Sequence, residues 1–355
     1  MNVEKIGIML DWKVIYMNKQ RQHTYERLGF YVEIGDRLGL KPVFFHPGQI
    51  DFATNKIKGY VWRNEKLVSS TFFIPKVIHN RVLSGNNDTN VRIKKLEKIS
   101  RVYNGIVTRN KWKVHKSLWR QDDLRYYLPE TKLFHKKAFF DMLNQYDILY
   151  VKPAIGSVGV GVARIEREAE GYAFYSSRTR KIFQRPKALL QFVEKWIGKK
   201  PFIIQQGISL CKYEDRTFDV RVSIQKNQQH EWEISGMVAK IANPENKLSN
   251  LAQGGSAEQL ETVLSSLFSI QSIPIIIRRL QTACFAIVEQ LERHEPSLVD
   301  LGLDMGIDRS GLPYFIEANV RDQRYSFFKA DEKAMFYRSY EAPLEYGATL
   351  YKKKK

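Results

Sequence analysis

The stretch LYVKPAIGSVGVGVARI, residues 149–165, is the most informative part of the sequence for predicting the fold. It predicts an apolar strand ending in Lys152-Pro153, then a glycine-rich loop and a second strand; the loop contains Gly156, Ser157, Gly159 and Gly161. Glycine lacks a Cβ atom, so backbone N–H groups in such a loop can turn towards an anion beside the charge of Lys152. The β-branched residues beyond the loop favour a strand. A P-loop and a dinucleotide-binding fingerprint are both followed by a helix, so neither motif fits this stretch. We therefore expect a hairpin flap over phosphates, with a glycine-rich hairpin that binds no ligand as the alternative.

The length and charge of the chain set the limits for its class. Its 355 residues, 43% of them hydrophobic, are enough for two or three domains with a sizeable core. The 57 Lys and Arg residues against 38 Asp and Glu residues give a formal net charge of +19. This excess favours acidic partners such as nucleotides, nucleic acids, anionic polymers or a membrane surface, although a basic solubilising surface fits equally well.

The cysteines and the apolar runs indicate in which cellular compartment the protein is expected to work. The two cysteines, Cys211 and Cys284, have neither metal-binding nor redox spacing, which suits a reducing cytoplasm. The first apolar stretch carries Glu4 and Lys5, so we do not expect a signal peptide. The longest apolar runs, such as residues 273–277, are far too short to span a membrane.

Residues 1–105 predict a small α/β domain. Short apolar strands at 6–10 and 43–45 flank a helix at 25–38 that stops at Gly39. Residues 60–62 and 67–74 flank Asn64-Glu65 as in a hairpin. The polar run His79-Asn80-Arg81 follows a further strand, where it is either a loop terminus or a group that faces a ligand.

Two further units follow, at residues 106–200 and 201–345, before a basic tail at 346–355. The first contains predicted helices at 111–118, 135–143 and 187–197 around the glycine-rich hairpin. The second opens with a strand at 202–205 and has its clearest alternation at 217–225. Because strand side chains alternate, one face of that strand is core and the other carries Asp219 and Arg221.

A second hairpin is predicted around residues 309–311. Its first strand carries Asp304, and its second strand carries Glu317 and Asn319 on one face. Pairing of the two strands can bring these three side chains together, and hard oxygen donors near a phosphate loop are what Mg²⁺ prefers. The alternative is that the two carboxylates form surface ion pairs, which the strongly apolar character of both strands disfavours.

These motifs, in this order, resemble the ATP-grasp superfamily. The resemblance rests on Lys152-Pro153 with its glycine loop, Asp219-Val220-Arg221, Asp304, and Glu317-Ala318-Asn319. Asn110-Lys111-Trp112, Pro129-Glu130-Thr131, Gln205-Gln206-Gly207-Ile208 and the loop at 250–255 are similar to the YheC/YheD branch, which is associated with the spore coat. The resemblance implies a mixed α+β and α/β chain: an ATP-grasp fold of two α+β subdomains that clasp ATP, preceded by a small α/β domain.

The resemblance also implies roles for individual residues. Lys111 and Lys152 would bind the phosphates of ATP, and the loop with Gly156, Ser157, Gly159 and Gly161 would close over them. The hinge Gln205, Gln206, Gly207 and Ile208 would pair with adenine, and Asp219 would meet the ribose. The catalytic and substrate side would be lined by Arg221, Lys240 and Asn250. Mg²⁺ would be held by Asp304, Glu317 and Asn319.

The implied activity is a ligase that phosphorylates a carboxylate with ATP and lets an amine attack the acyl-phosphate. Two departures bear on the substrate: Val320-Arg321 follows Asn319 where many relatives have a small residue and a proline, and the hinge has Gln205 where many have Glu. Arg321 suggests an acidic small-molecule or peptide substrate. A non-catalytic, nucleotide-binding spore-coat scaffold and a phosphotransferase acting on a non-carboxylate are the alternatives. Nucleic-acid binding is supported by charge alone.

Overall fold

The computed structural model describes residues 3–22, 24–63, 66–83, 85–106, 108, 110–156, 161–177, 179–243 and 255–351. These residues form three β-sheets with helices packed against them. The mixed α+β architecture predicted from the sequence is confirmed. Several predicted features lie outside the described residues: the turn Asn64-Glu65, the loop residues Ser157 and Gly159, and Asn250 with most of its loop.

The first sheet belongs to the N-terminal domain. Its strands are β1 (Glu4–Met9), β2 (Leu40–Phe45), β3 (Ile50–Asp51), β4 (Lys56–Arg63), β5 (Lys66–Phe73), β6 (Val77–Asn80) and β7 (Arg101–Tyr103). Its helices are α1 (Trp12–Lys19), α2 (Leu28–Leu38) and α3 (Asn87–Leu96), and a 3₁₀ turn spans Pro47–Gln49. Strands β2, β1, β6 and β7 are parallel, and β3, β4 and β5 are antiparallel additions. Helix α2 ends at Gly39, as predicted, because this glycine adopts a left-handed φ of 69°.

The second sheet is antiparallel and contains the glycine-rich hairpin. Its strands are β8 (Thr131–Leu133), β9 (Ile148–Pro153), β10 (Ala163–Glu168), β11 (Gly171–Ser176), β12 (Arg180–Phe183) and β13 (Phe202–Gln206). Helices α6 (Lys136–Gln145) and α7 (Pro186–Ile197) cover one face and bury Phe139, Leu189 and Phe174. Strands β9 and β10 pair with Val151 opposite Ala163, so the predicted hairpin is confirmed and its loop begins at Ala154.

The third sheet carries the predicted carboxylates. Its strands are β14 (Lys212–Tyr213), β15 (Arg216–Lys226), β16 (Trp232–Ile241), β17 (Ser256–Gln259), β18 (Asp300–Ile307) and β19 (Pro313–Asn319). The order of the main path is β17, β16, β15, β18, β19. Its helices are α8 (Leu260–Leu267) and α9 (Ile273–His294), joined by α4 (Lys111–Trp119) and α5 (Asp122–Arg125) from earlier in the chain.

The C-terminal helices connect this sheet to the N-terminal domain. Helices α10 (Tyr325–Lys329) and α11 (Lys333–Thr349) follow β19. In the interface, Phe336 and Tyr340 of α11 share one apolar core with Ile6 and Tyr31 of the N-terminal domain. The last helix of the chain therefore completes the core of the first domain.

Two segments pack across the domain limits expected from the sequence. Leu118 and Leu124, on the helices that open the 106–200 unit, lie in the core of the third sheet with Val220 and Leu280. Strand β13, placed at the start of the 201–345 unit, instead pairs with β9 of the second sheet. An amphipathic pattern shows that a helix covers a core but does not show which core. The domain limits therefore stay a prediction.

Candidate active site

A cleft that is open to solvent lies between the second sheet and strand β19, with roughly 920 Å³ of space not filled by protein atoms. Its apolar walls include Ile203 of β13 and Phe315 of β19. Its polar walls combine two lysines with one carboxylate, two amides and a guanidinium: Lys111, Lys152, Gln205, Glu317, Asn319 and Arg321. Because β19 rises about 3.3 Å per residue, Asn319 lies about 13 Å along the wall from Phe315. The β19 wall of the cleft therefore runs from the apolar Phe315 to the polar Asn319.

Lys111 is placed by the N-terminus of helix α4. The Asn110 side chain caps this helix by accepting a hydrogen bond from the N–H of Lys113 at 3.1 Å. The N–H of Lys111 donates to the carbonyl of Ala154 at 2.8 Å, which attaches the helix to the start of the glycine-rich loop. The Lys111 Nζ atom then lies 2.7 Å from the Gly156 carbonyl oxygen and 2.9 Å from Glu317 Oε1. One ammonium group thus joins the loop to the carboxylate of β19.

Lys152 lies at the end of β9 and is bonded to a neutral amide. Its Nζ atom donates to Gln205 Oε1 at 2.7 Å, and Gln205 Nε2 donates to Thr131 Oγ1 at 2.9 Å. The Thr131 hydroxyl itself donates to the Pro129 carbonyl, so it can only accept from Gln205. The amide of Gln205 is therefore fixed in one orientation. Burial lowers the pKa of Lys152 to about 8, with Glu317 raising it and Lys111 lowering it further.

The predicted hinge continues from β13. The N–H of Gln206 donates to the Glu130 carbonyl at 2.8 Å, and the N–H of Gly207 donates to the Ile148 carbonyl at 2.7 Å. A Cβ atom on Gly207 would lie 2.3 Å from Ile148 Cγ2, so only glycine fits at this position. Among the described residues, the N–H of Ile208 has no such backbone acceptor. The Ile208 N–H thus remains available as a donor in the predicted hinge.

Four of the predicted residues form one buried ion-pair cluster, and the strand register brings them together. Arg221 is opposite Asp304 across β15 and β18, and Asp219 is opposite Lys240 across β15 and β16. Arg221 binds Asp304 in a bidentate manner, with Nε to Oδ1 at 2.8 Å and Nη2 to Oδ2 at 3.2 Å. Lys240 Nζ lies 2.7 Å from Asp219 Oδ1 and 2.9 Å from Asp304 Oδ1.

The pKa values of the two carboxyls diverge within this cluster. Burial raises the pKa of Asp219 to about 6, against the opposing effect of Lys240. Burial acts in the same direction on Asp304, but Arg221 and Lys240 outweigh it and hold the pKa of Asp304 well below its ordinary value. Asp304 is thus a firmly ionised carboxylate at neutral pH.

The structure separates the predicted site residues into two groups. Lys111, Lys152, Gly156, Gln205, Glu317 and Asn319 line the cleft. The cluster of Asp219, Arg221, Lys240 and Asp304 lies beside β19, on strands β15, β16 and β18, and does not line the cleft as the described residues define it. Asn319 connects the two groups, because its Nδ2 donates to Asp304 Oδ2 at 3.0 Å. Gly161 closes the glycine-rich loop with a φ of 75°, a value that favours glycine.

The run His79-Asn80-Arg81 is neither a loop terminus in solvent nor a wall of the cleft. All three side chains are buried between the N-terminal domain and the third sheet. Arg81 Nη1 donates to Asp300 Oδ2 at 2.8 Å, and Arg81 Nε donates to Glu26 Oε1 at 2.8 Å. Sequence reasoning missed this because the partners lie 55 and 219 residues away.

Two cleft residues were also missed. Thr131 belongs to the motif Pro129-Glu130-Thr131, which carries part of the family resemblance, and its side chain orients Gln205. His115 of α4 lines the cleft, and burial lowers its pKa to about 4, so it is neutral at pH 7. Its position four residues after Lys111, on the same helix face, was the available signal.

Glu317 and Asn319 at the polar end, together with the adjacent Asp304, have the ligand chemistry that suits a hard divalent cation. Asp304 and Glu317 are opposite each other across β18 and β19, and Asn319 lies beside them. Two carboxylates and one amide oxygen, completed by water and nucleotide oxygens, match the preference of Mg²⁺. Among the described residues, no group of three or more His, Cys, Asp or Glu side chains could hold a metal by itself.

Comparisons with known proteins agree with this geometry. A sequence model of a family described as "YheC/D like ATP-grasp" matches residues 100–350. The chain is similar to two Bacillus subtilis (strain 168) proteins. It is 24% identical to endospore coat-associated protein YheD, over 87% of this chain and 70% of that relative. It is 23% identical to endospore coat-associated protein YheC, over 91% of this chain and 92% of that relative.

A solved structure shows the same fold. The VanG D-Ala:D-Ser ligase from Enterococcus faecalis has a TM-score of 0.57 and 11% identity, covering 97% of this chain and 99% of that one. In the parts of the chain that the structure describes, none of the helices combines the length and apolarity needed to cross a membrane.

Proposed function

The chain belongs to the YheC/D-like ATP-grasp family, and on that premise we propose that it is an ATP- and Mg²⁺-dependent ligase. The reaction would join a carboxylate to an amine through an acyl-phosphate. The observation that carries this proposal is the convergence of Lys111, Lys152 and Glu317 in one cleft beside the hinge.

The proposed chemistry follows from the two ends of the cleft. The base would lie at the apolar end between Ile203 and Phe315, with the Ile208 N–H as its hinge donor. Lys111 and Lys152 would then meet the phosphates, because cations stabilise the charge that develops during phosphoryl transfer. A carboxylate oxygen would attack the γ-phosphorus with ADP leaving, and the amine would attack the acyl carbon with phosphate leaving. When bound, Mg²⁺ would be held by Asp304, Glu317 and Asn319 and would neutralise phosphate charge.

The substrate and location form a second part of the proposal. Arg321 lines the polar end, held by the carbonyls of Val320 at 2.7 Å and Gly105 at 2.9 Å. A guanidinium at this position supports an acidic small-molecule or peptide substrate. The names of YheC and YheD support an association with the spore coat or cell envelope, and the two cysteines suit a cytoplasmic site of action.

A non-catalytic coat scaffold is the second candidate. It is favoured by the ion pairs of Arg221 and Lys240, which bind Asp304 and do not line the cleft as the described residues define it. The cleft lysines argue against it, because a scaffold gains nothing from placing Lys111 and Lys152 side by side.

An ADP-release screen separates the two candidates. Purified protein with ATP and Mg²⁺ is presented with pools of amino acids, peptides and cell-wall precursors, and Lys152→Ala serves as the inactive control. We expect one acidic pool to increase ADP release and the control to abolish that increase. Nucleotide binding without release in any pool would favour the scaffold.

A further inference from the structure

The Asp304 carboxylate already has a full set of hydrogen-bond donors. An ionised carboxylate offers about four acceptor sites on its two oxygens. Four N–H groups point at them: Arg221 Nε and Nη2, Lys240 Nζ, and Asn319 Nδ2. A metal ion can therefore bind Asp304 only after one of these donors leaves.

Arg221 is the donor least able to leave. Its two bonds to Asp304 are parallel and bidentate, and its Nη1 also contacts Asp322 Oδ1 at 3.4 Å and the Gln323 carbonyl at 3.3 Å. Gly302 allows this approach, because a Cβ there would lie 2.4 Å from Asp322 Oδ1 and 3.3 Å from Arg221 Cδ. The guanidinium is held from both sides, so moving it would break several bonds at once.

Of the two cations bound to Asp304, Lys240 is the one that can leave at low cost. It contacts Asp304 with one atom, on a flexible side chain. It has a second carboxylate, Asp219, at a shorter distance of 2.7 Å. A lysine that leaves Asp304 therefore keeps a buried ion pair and does not become an uncompensated charge.

We propose that Lys240 is a tethered competitor of the metal: it occupies Asp304 while the cation is absent and moves fully onto Asp219 when a divalent cation binds. This inference rests on the proposed function, since it concerns regulation of the same metal site. It assigns Lys240 and Asp219 to positioning roles, with Asp304 as the group through which both act. The exchange keeps Asp304 neutralised in both states.

Binding of Mn²⁺ alone, without nucleotide, tests this exchange. Mn²⁺ is titrated into the full chain and followed by electron paramagnetic resonance of the free ion. We expect Lys240→Met to tighten Mn²⁺ binding by about tenfold, because the competing charge is gone. Asp219→Asn should weaken it, because Lys240 then has only Asp304 as a carboxylate partner. Opposite effects from the two members of one ion pair are not the result of general destabilisation.

Two controls complete the design. Lys226 is a buried lysine at the far end of β15, paired with Glu292, and Lys226→Met should leave Mn²⁺ binding unchanged. Combining Lys240→Met with Asp304→Asn should abolish the gain in Mn²⁺ affinity that Lys240→Met gives alone. If Lys240→Met fails to fold, the charge-balanced double variant with Asp219→Asn replaces it and should bind Mn²⁺ more tightly than Asp219→Asn alone.

The proposal is overturned if Lys240→Met binds Mn²⁺ no more tightly than wild type, or if the gain survives loss of Asp304. It is also overturned if Asp219→Asn tightens binding. A wild-type protein that releases no ADP with any substrate would refute the ligase. The Mn²⁺ titration contains no nucleotide, so its result tests the role of Lys240 independently of the ligase activity.

Discussion

ATP affinity should fall as the pH rises through 8, because Lys152 loses its charge there. The lysine is charged below its pKa, and burial beside the neutral amide of Gln205 lowers that pKa to about 8. A bound phosphate would favour the charged form and keep it charged across this range. The charged fraction in the free protein falls from about nine tenths at pH 7 to about one tenth at pH 9. The dissociation constant should therefore rise about tenfold, equivalent to about 1.4 kcal/mol.

Calorimetric titration with a non-hydrolysable ATP analogue and Mg²⁺ at pH 7, 8 and 9 measures this effect. Lys152→Ala should bind more weakly by about 1.5–3 kcal/mol at pH 7 and show little further change with pH. Lys152→Arg retains its charge at pH 9 and should flatten the profile. Gln205→Glu should also flatten it, because a carboxylate 2.7 Å from Nζ would raise the pKa of Lys152. An equal tenfold loss in wild type and Lys152→Ala would refute this explanation.

Three further predictions concern other parts of the structure. Glu317→Gln combined with Asn319→Ala should leave metal-free nucleotide binding intact and remove its enhancement by Mg²⁺, measured by calorimetry; an unchanged Mg²⁺ dependence would place the metal elsewhere. Gly207→Ala should lower stability by about 1–3 kcal/mol in thermal denaturation, because its Cβ would overlap Ile148, and Gly29→Ala, with open space around its Cβ position, is the control. Arg81→Met should cost about 3–5 kcal/mol, because Glu26 and Asp300 would lose a buried partner; a loss below 1 kcal/mol in urea denaturation would contradict it.

The local elements were predictable because their signals are local. The glycine-rich hairpin, the end of α2 at Gly39 and the pairing of Asp304 with Glu317 all follow from alternation and turn residues within short windows. In each case the strands or turns that interact are close together in the sequence. The register of such a hairpin can therefore be predicted from the sequence.

The interactions between distant strands were not predictable in the same way. Arg221 and Asp304 are 83 residues apart, and their contact depends on the register of β15 against β18. The alternation in β15 correctly separates Asp219 and Arg221 from the apolar face, but it does not show that this second face is buried too. Whether a charged residue faces a ligand or a neighbouring carboxylate depends on three-dimensional neighbours that a single sequence does not specify.

The sharing of one core by the first domain and the last helix has a consequence for synthesis. Ile6 and Tyr31 leave the ribosome long before Phe336 and Tyr340, which share their core. The N-terminal domain therefore cannot bury its apolar face by itself during translation, although domains commonly fold in order from the N-terminus. A nascent chain that stops before α11 would expose that face to aggregation or to chaperones, so the core of the first domain is completed only after α11 has been synthesised.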